Sequence, residues 1–253
     1  MKTIISLLVI VFANAVNNGI HAQMDIDLGI KGGISIPNLT SGKEDNPINT
    51  GYKSRTGPAF AIYAEFHLTK KFSIQPELQY CAEGGKKNGN QAFALPAEIS
   101  PMFPPGQAPR YLFADYRSTA KFNYLLLPIL AKYHLPFNES WDFYVGVGPF
   151  ASVLLNAKNI TRGTSTIFLD PAHTQPLIPN QSFDRKENIK DELHKFNAGV
   201  AGHLGIAYHL GGGSIFLEGG GNFGFINIQK GEENGKNKTG AGVIMIGYAI
   251  KLY

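Results

Sequence analysis

A chain of 253 residues with 29 glycines, 11% aromatic and only 17% charged residues has the make-up of an all-β protein with many turns, and it lacks long amphipathic helical stretches. Its formal charge of +4, or +3 without Lys2, is too small for a nucleic-acid surface. A lone Cys81 excludes an internal disulfide framework, and past the N-terminus no apolar run of about 18 residues supports a spanning helix, a test that alternating strands escape.

The chain opens with Lys2, an apolar stretch from Ile4 to Phe12, and small residues at which export signals are cut. This pattern predicts a signal peptide over 1–22 and an exported domain over 23–253. Cleavage after Ala22 places Gln23 directly before the first strand; Ala13-Asn14-Ala15 also fits the small-x-small rule and leaves Ala15 as the alternative.

Eight alternating segments follow, at 24–36, 56–68, 72–82, 118–135, 142–155, 194–210, 214–228 and 239–253. Alternation is clearest from Phe72 to Tyr80, where Phe72, Ile74, Pro76, Leu78 and Tyr80 share one face and Ser73, Gln75, Glu77 and Gln79 the other. Most segments are long enough for a tilted strand to cross a bilayer. Short and long connections alternate between them, as in an outer-membrane barrel with short periplasmic turns and longer outer loops. The reading is therefore an eight-stranded antiparallel up-and-down transmembrane β-barrel of the bacterial outer membrane. Proline removes a ladder donor, so bulges are expected at Pro76 and Pro128.

Three of the short turns follow an aromatic-His-Leu triplet: Phe66-His67-Leu68, Tyr133-His134-Leu135 and Tyr208-His209-Leu210. By phase the rings face lipid, so Phe66, Tyr133, Tyr208 and Tyr248 are expected in a periplasmic aromatic girdle. The histidines face the lumen with His203 above them. Strands two, four and six are not neighbours, however, so these imidazoles read as a wet rim, and no metal site is expected. Lumen faces are expected to carry Gly, Ala, Ser, Asn and a few charges. Among those charges are Lys31, Glu65, Glu77, Lys132 and Glu218, predicted to form one salt-bridge network because a charge isolated in a narrow lumen is costly.

The Gly219 to Gly224 run formally matches a dinucleotide fingerprint, but Phe223-Gly224-Phe225-Ile226 continues a strand where that motif needs a helix. No cofactor is expected. His173 and His194, with Asp170, Ser165 and Asp191 nearby in sequence, do not make a catalytic set, and the protein is read as non-enzymatic. The second long loop is unusually apolar, with Pro101-Met102-Phe103-Pro104-Pro105. The third, Asn156 to Glu192, leads into the helix-compatible stretch Asp184 to Lys195 and is read as mobile cover.

Gly29–Leu39, Tyr124–Tyr133 and Gly146–Phe150 resemble the outer-membrane β-barrel family of Bacteroidetes related to PorT. That resemblance implies a barrel like the membrane domain of OmpA, and most of the family's members have no assigned activity. The end of the chain departs from the usual insertion signal: Tyr253 is aromatic, but the apolar residues Ile244 to Leu252 run in the opposite phase. The expected partners are outer-membrane lipid and proteins met through the outer loops, with no nucleic acid, and a monomer is expected. A structural, adhesive or envelope-assembly role leads; a PorT-like accessory of protein secretion and a small porin-like pore are the alternatives.

Overall fold

The computed structural model describes residues 25–41, 47–48, 51–231 and 236–252; the expected signal peptide and Tyr253 lie outside the described residues. Eleven strands run in chain order: β1 (Ile26–Ser41), β2 (Gly57–His67), β3 (Phe72–Ala94), β4 (Tyr111–Pro136), β5 (Trp141–Arg162), β6 (Thr164–Phe168), β7 (Pro176–Ser182), β8 (Arg185–Asn188), β9 (Phe196–Leu210), β10 (Gly213–Gly224) and β11 (Asn237–Leu252). Eight of them close a ring, β1-β2-β3-β4-β5-β9-β10-β11, sealed by antiparallel pairing of β1 with β11 from Ile26↔Leu252 to Ser41↔Asn237. Closure leaves no unpaired wall edge, which a bilayer would penalise heavily.

Side chains alternate strictly around the wall. On the outside, Ile30, Val147, Leu204 and Ile246 are each more than 60% exposed, and Ile62, Leu217 and Ile244 at least half. A belt of this kind in water would be an aggregation surface; against hydrocarbon it is the stable arrangement.

Local chemistry fixes the short-turn end. In the turn 68–71, Thr69 Oγ1 accepts from the Lys71 and Phe72 amides at 3.2 and 3.0 Å. In the turn 137–140, Asn138 Oδ1 accepts from Ser140 and Trp141, both at 2.9 Å. Gly211 and Gly212 form the third turn.

The structure corrects the sequence expectations in four places. No bulge forms at Pro76 or Pro128. The β2–β3 and β3–β4 registers are unchanged on either side of each proline, and the ladder opens for a few pairs without inserting a residue. The register shift of the wall sits instead between Asn123 and Tyr124, opposite Leu155 on β5.

Second, β3, β4 and β5 run well past the predicted segments. β3 and β4 stay paired in one register from Phe72↔Tyr133 to Ala94↔Tyr111, so most of the expected second loop is a ribbon standing above the barrel. Gly84 lies in it with φ +111°, and a Cβ there would meet the Ala120 carbonyl oxygen at 2.2 Å, so only glycine fits.

Third, the expected mobile loop is sheet. β6 and β7 pair, β8 pairs with β5, and the helix-compatible stretch supplies only a 3-10 turn at Lys190–Glu192. Phe183 stacks on Tyr116 at 4.6 Å and meets Phe93 edge-on at 5.7 Å, fastening this segment to the ribbon. Fourth, β10 ends at Gly224, earlier than the predicted 228. Beyond it Asn227 Oδ1 accepts from the Gln229 and Asn237 amides, and the chain leaves the wall.

Candidate functional site: the barrel lumen

The lumen is filled in two layers. Towards the long-loop end lies an apolar plug in which Phe122, Tyr124, Leu126, Leu130, Phe150, Leu154, Val243 and Met245 are buried together. Leu193 and Ile228 enter it from the connections on either side and are each 1% exposed. The expected small and polar lining is present beside it, with Ala201 and Ala241 in the same cluster and Ser35 and Asn197 buried, while the bulky residues come mainly from β4 and β5, where apolar packing is the favourable solution.

Towards the short turns the filling is ionic. Lys31 on β1 donates to Glu77 on β3 and Glu218 on β10, both at 2.7 Å, with almost no side-chain exposure on any of the three. The Tyr144 hydroxyl on β5 donates to Glu218 at 3.1 Å, and His203 Nδ1 on β9 lies 3.1 Å from the same carboxylate. A second group forms nearer the mouth. Lys132 on β4 donates to Glu65 on β2 at 2.7 Å, and Ser73 donates to the same carboxylate. His134 sets its two ring nitrogens 2.8 Å from Glu65 and 2.6 Å from Asp142.

Gln75 joins the groups: its amide NH₂ donates to Glu77 and its carbonyl accepts from Lys132 at 2.8 Å. The orientation uses each end of the amide on the charge it complements. The five charges picked out by sequence thus lie in two clusters, Lys31-Glu77-Glu218 and Glu65-Lys132, and an uncharged residue connects them. With His203 and Asp142 included, the assembly draws on every barrel strand except β11.

Aromatic rings close the remaining space between these charges. Tyr63, Tyr144 and Phe216 contact edge-on at 5.9 and 6.5 Å. Each ring occupies a place left by a glycine: a Cβ would lie 2.1 Å from the Tyr63 ring at Gly29, 2.4 Å from Tyr144 at Gly205 and 2.3 Å from Phe216 at Gly247. The Lys132 ammonium sits 4.0 Å from the centroid of the Tyr144 ring.

The histidines at the mouth come closer together than the strand order suggests. β2 and β4 flank β3, yet the rings of His67 and His134 come within 5.5 Å because the lumen is narrow. Ligand atoms of Glu65, His67 and His134 lie within 4.8 Å of one another, so the spacing of the strands does not keep these imidazoles apart. Glu65 is nonetheless committed to Lys132, Ser73 and His134, and His67 faces Asp27 at 3.0 Å. Asp27, Glu65, His67, Lys132, His134 and His209 line a mouth cavity of about 190 Å³.

On the outer wall near the short turns, Tyr208 and Tyr248 are 39% and 42% exposed, and Phe66 and Tyr133 face the same way. Sequence reasoning missed two further rings: Trp141 packs on Tyr208 at 4.9 Å and Phe72 on Tyr133 at 4.8 Å. Both open the strand after a short turn, so proximity to the turn was the available signal.

The remaining polar candidates serve loop structure. Asp170 caps a turn by accepting from the Ala172, Thr174 and Gln175 amides, and Ser165 Oγ accepts from the Asp115 amide. His173 stacks on Phe168 at 4.2 Å. His194 hydrogen-bonds through its amide to Ile228, and Asp191 lies 3.5 Å from Lys195. The Gly219 to Gly224 run lies within β10 and has no helix behind it.

A family model described as an outer membrane protein beta-barrel domain matches residues 21–230. No curated protein sequence matches the chain. Among solved structures it is similar to Ail, the attachment invasion locus protein of Yersinia pestis, at 10% identity and a TM-score of 0.36 over 90% of this chain and 99% of that one. It is similar to Neisserial surface protein A at 11% and 0.36, over 89% and 97%. The N-terminal β-barrel domain of Pseudomonas aeruginosa OprF gives 10% and 0.36, over 91% and 100%.

Proposed function

This chain belongs to the outer-membrane β-barrel domain family and resides in the outer membrane, and from that premise we propose that it is a non-conducting, non-enzymatic scaffold. In this reading the barrel anchors and orients the β3–β4 ribbon with the β6–β7 pair and β8 beside it, which meet protein partners outside the cell in a structural, adhesive or envelope-assembly role. The filled lumen carries the proposal: an apolar plug and, nearer the short turns, an ionic layer occupy the barrel interior. The girdle of Phe66, Tyr133, Tyr208 and Tyr248, joined by Phe72 and Trp141, holds the barrel at its periplasmic boundary.

The apolar tip of the second loop supports a protein partner. Met102 is 59% exposed, and Pro101, Pro104 and Pro105 are exposed beside it. A photo-crosslinking residue at Met102 in intact cells is expected to yield discrete protein adducts, whereas one at Phe137, which is 76% exposed beyond the opposite end, yields a different set. Recovery of export-machinery components from Met102 would assign the PorT-like accessory role. An absence of protein adducts at Met102 and at a second site on the same tip, Phe103, would overturn the scaffold reading.

A further inference from the structure

One side of the outer wall carries cations set directly against one another. Above the apolar row Tyr80-Leu125-Val153, and just beyond the exposed Leu155, Asn123 and Asn156 stand opposite each other on β4 and β5 and hydrogen-bond at 3.2 Å. Next come Lys121 and Lys158, exposed and directly opposite each other on β4 and β5. One row further out, Lys53 opposes Lys86 across an isolated bridge to β3, and Lys186 on β8 lies on the same row. In the row beyond, Arg117 opposes Arg162.

Like charges directly opposite in an antiparallel pair are destabilising, and this face repeats the fault three times. None of these seven side chains has a carboxylate partner among the described residues. The acidic residue on the same face of β4, Asp115, stands a row further out and faces His173 at 3.4 Å. Three opposed pairs without a carboxylate partner among the described residues mark a surface open to neutralisation from outside.

The position identifies what neutralises it. From Leu125 to Lys121 is four residues, about 10 Å along the membrane normal for a strand rise of about 3.3 Å and a tilt of about 40°. The lysine stems can lean back towards the apolar belt while their ammonium groups stay in the polar layer. This face also continues the lipid-contacting wall, across the register shift between Asn123 and Tyr124, so the first anions it meets are the headgroups of the outer leaflet.

We propose that the β3–β4–β5–β8 face, centred on Lys121 and Lys158 with Lys86 and Arg117 above them, binds the phosphate groups of phosphorylated glycolipid in the outer leaflet. The inference depends on the outer-membrane location and is independent of the protein-partner reading.

The test uses the full chain in phosphatidylcholine nanodiscs containing a minor fraction of lipid A, with retained lipid counted by native mass spectrometry. Lipid A is expected to be enriched around the protein, its fully dephosphorylated form is not, and excess inorganic phosphate does not displace it. The K121Q/K158Q variant is expected to lower that enrichment by roughly tenfold or more, from the worth of two cations at an anionic surface. It keeps its heat-modifiable mobility and, in neutral detergent, is no less stable than wild type. K70Q/K71Q, at the periplasmic end, leaves enrichment unchanged. Equal retention of phosphorylated and dephosphorylated lipid, or unchanged retention in K121Q/K158Q, would overturn the proposal. Tight binding of dextran sulfate in detergent without lipid A enrichment would also overturn it, in favour of a soluble polyanion.

Discussion

Replacing Lys31 with methionine is expected to lower the stability of the folded barrel by about 3–5 kcal/mol, the usual consequence of removing one partner from a buried ion pair. The size follows from what remains. Glu77 and Glu218 would face each other across the lumen with no ammonium between them, and neither side chain is more than 2% exposed. Gln75 and Tyr144 still donate to these carboxylates, but neutral donors offset only part of a buried charge. Denaturant titration of the refolded barrel, followed by its heat-modifiable mobility, measures the loss. The triple variant K31M/E77Q/E218Q should recover most of it, because removing a whole buried triad avoids the isolated charge. A triple variant as unstable as K31M alone would mean that the cost comes from packing and not from charge.

The second large effect is expected at Tyr144, where Tyr144→Ala should cost about 3–5 kcal/mol, the range for deleting a buried aromatic ring. The ring is 6% exposed, packs against Phe216, lies over the Lys132 ammonium and sends its hydroxyl to Glu218. It also occupies the space left by Gly205, where no side chain stands ready to fill the hole. Tyr144→Phe isolates the hydroxyl: it keeps the packing and should lose only about 1.5–3 kcal/mol, the worth of one hydrogen bond to a charged group. Near-equal losses in the two variants would show that the ring's packing contributes little.

The barrel was legible in the sequence wherever one face met lipid. From Phe72 to Tyr80 the alternation is strict because hydrocarbon selects apolar side chains on every second residue. The same strand continues to Ala94 through Gly84, Gly85, Lys86, Lys87, Asn88 and Gly89, where both faces leave the membrane and nothing imposes a period of two. The β3–β4 ribbon, the β6–β7 pair and β8 were therefore missed, although the ribbon's strands are paired as fully as the wall. Loop length misled as well, since the distance between membrane segments was taken for irregular chain.

In the lumen, phase identified which charges point inward but not which of them meet. Lys31 reaches Glu218 across 187 positions of sequence, and the link between the two clusters is Gln75, a residue with no charge to attract notice. His67 and His134 read as far apart because their strands are not adjacent, an argument that holds for ladders and fails inside a narrow cylinder. The apolar plug was hidden for a related reason. Leu126, Leu130 and Leu154 read as part of continuous apolar runs, and only closure of the ring, with Leu193 and Ile228 brought in from the loops, shows that they pack on one another.

Planar-bilayer recording of the purified wild-type chain tests the closed lumen most directly. The apolar plug and the ionic layer predict a quiet membrane, with no resolved conductance steps after insertion that heat-modifiable mobility confirms to be native. Stepwise, ohmic openings by the wild-type protein would contradict a closed barrel and restore the pore.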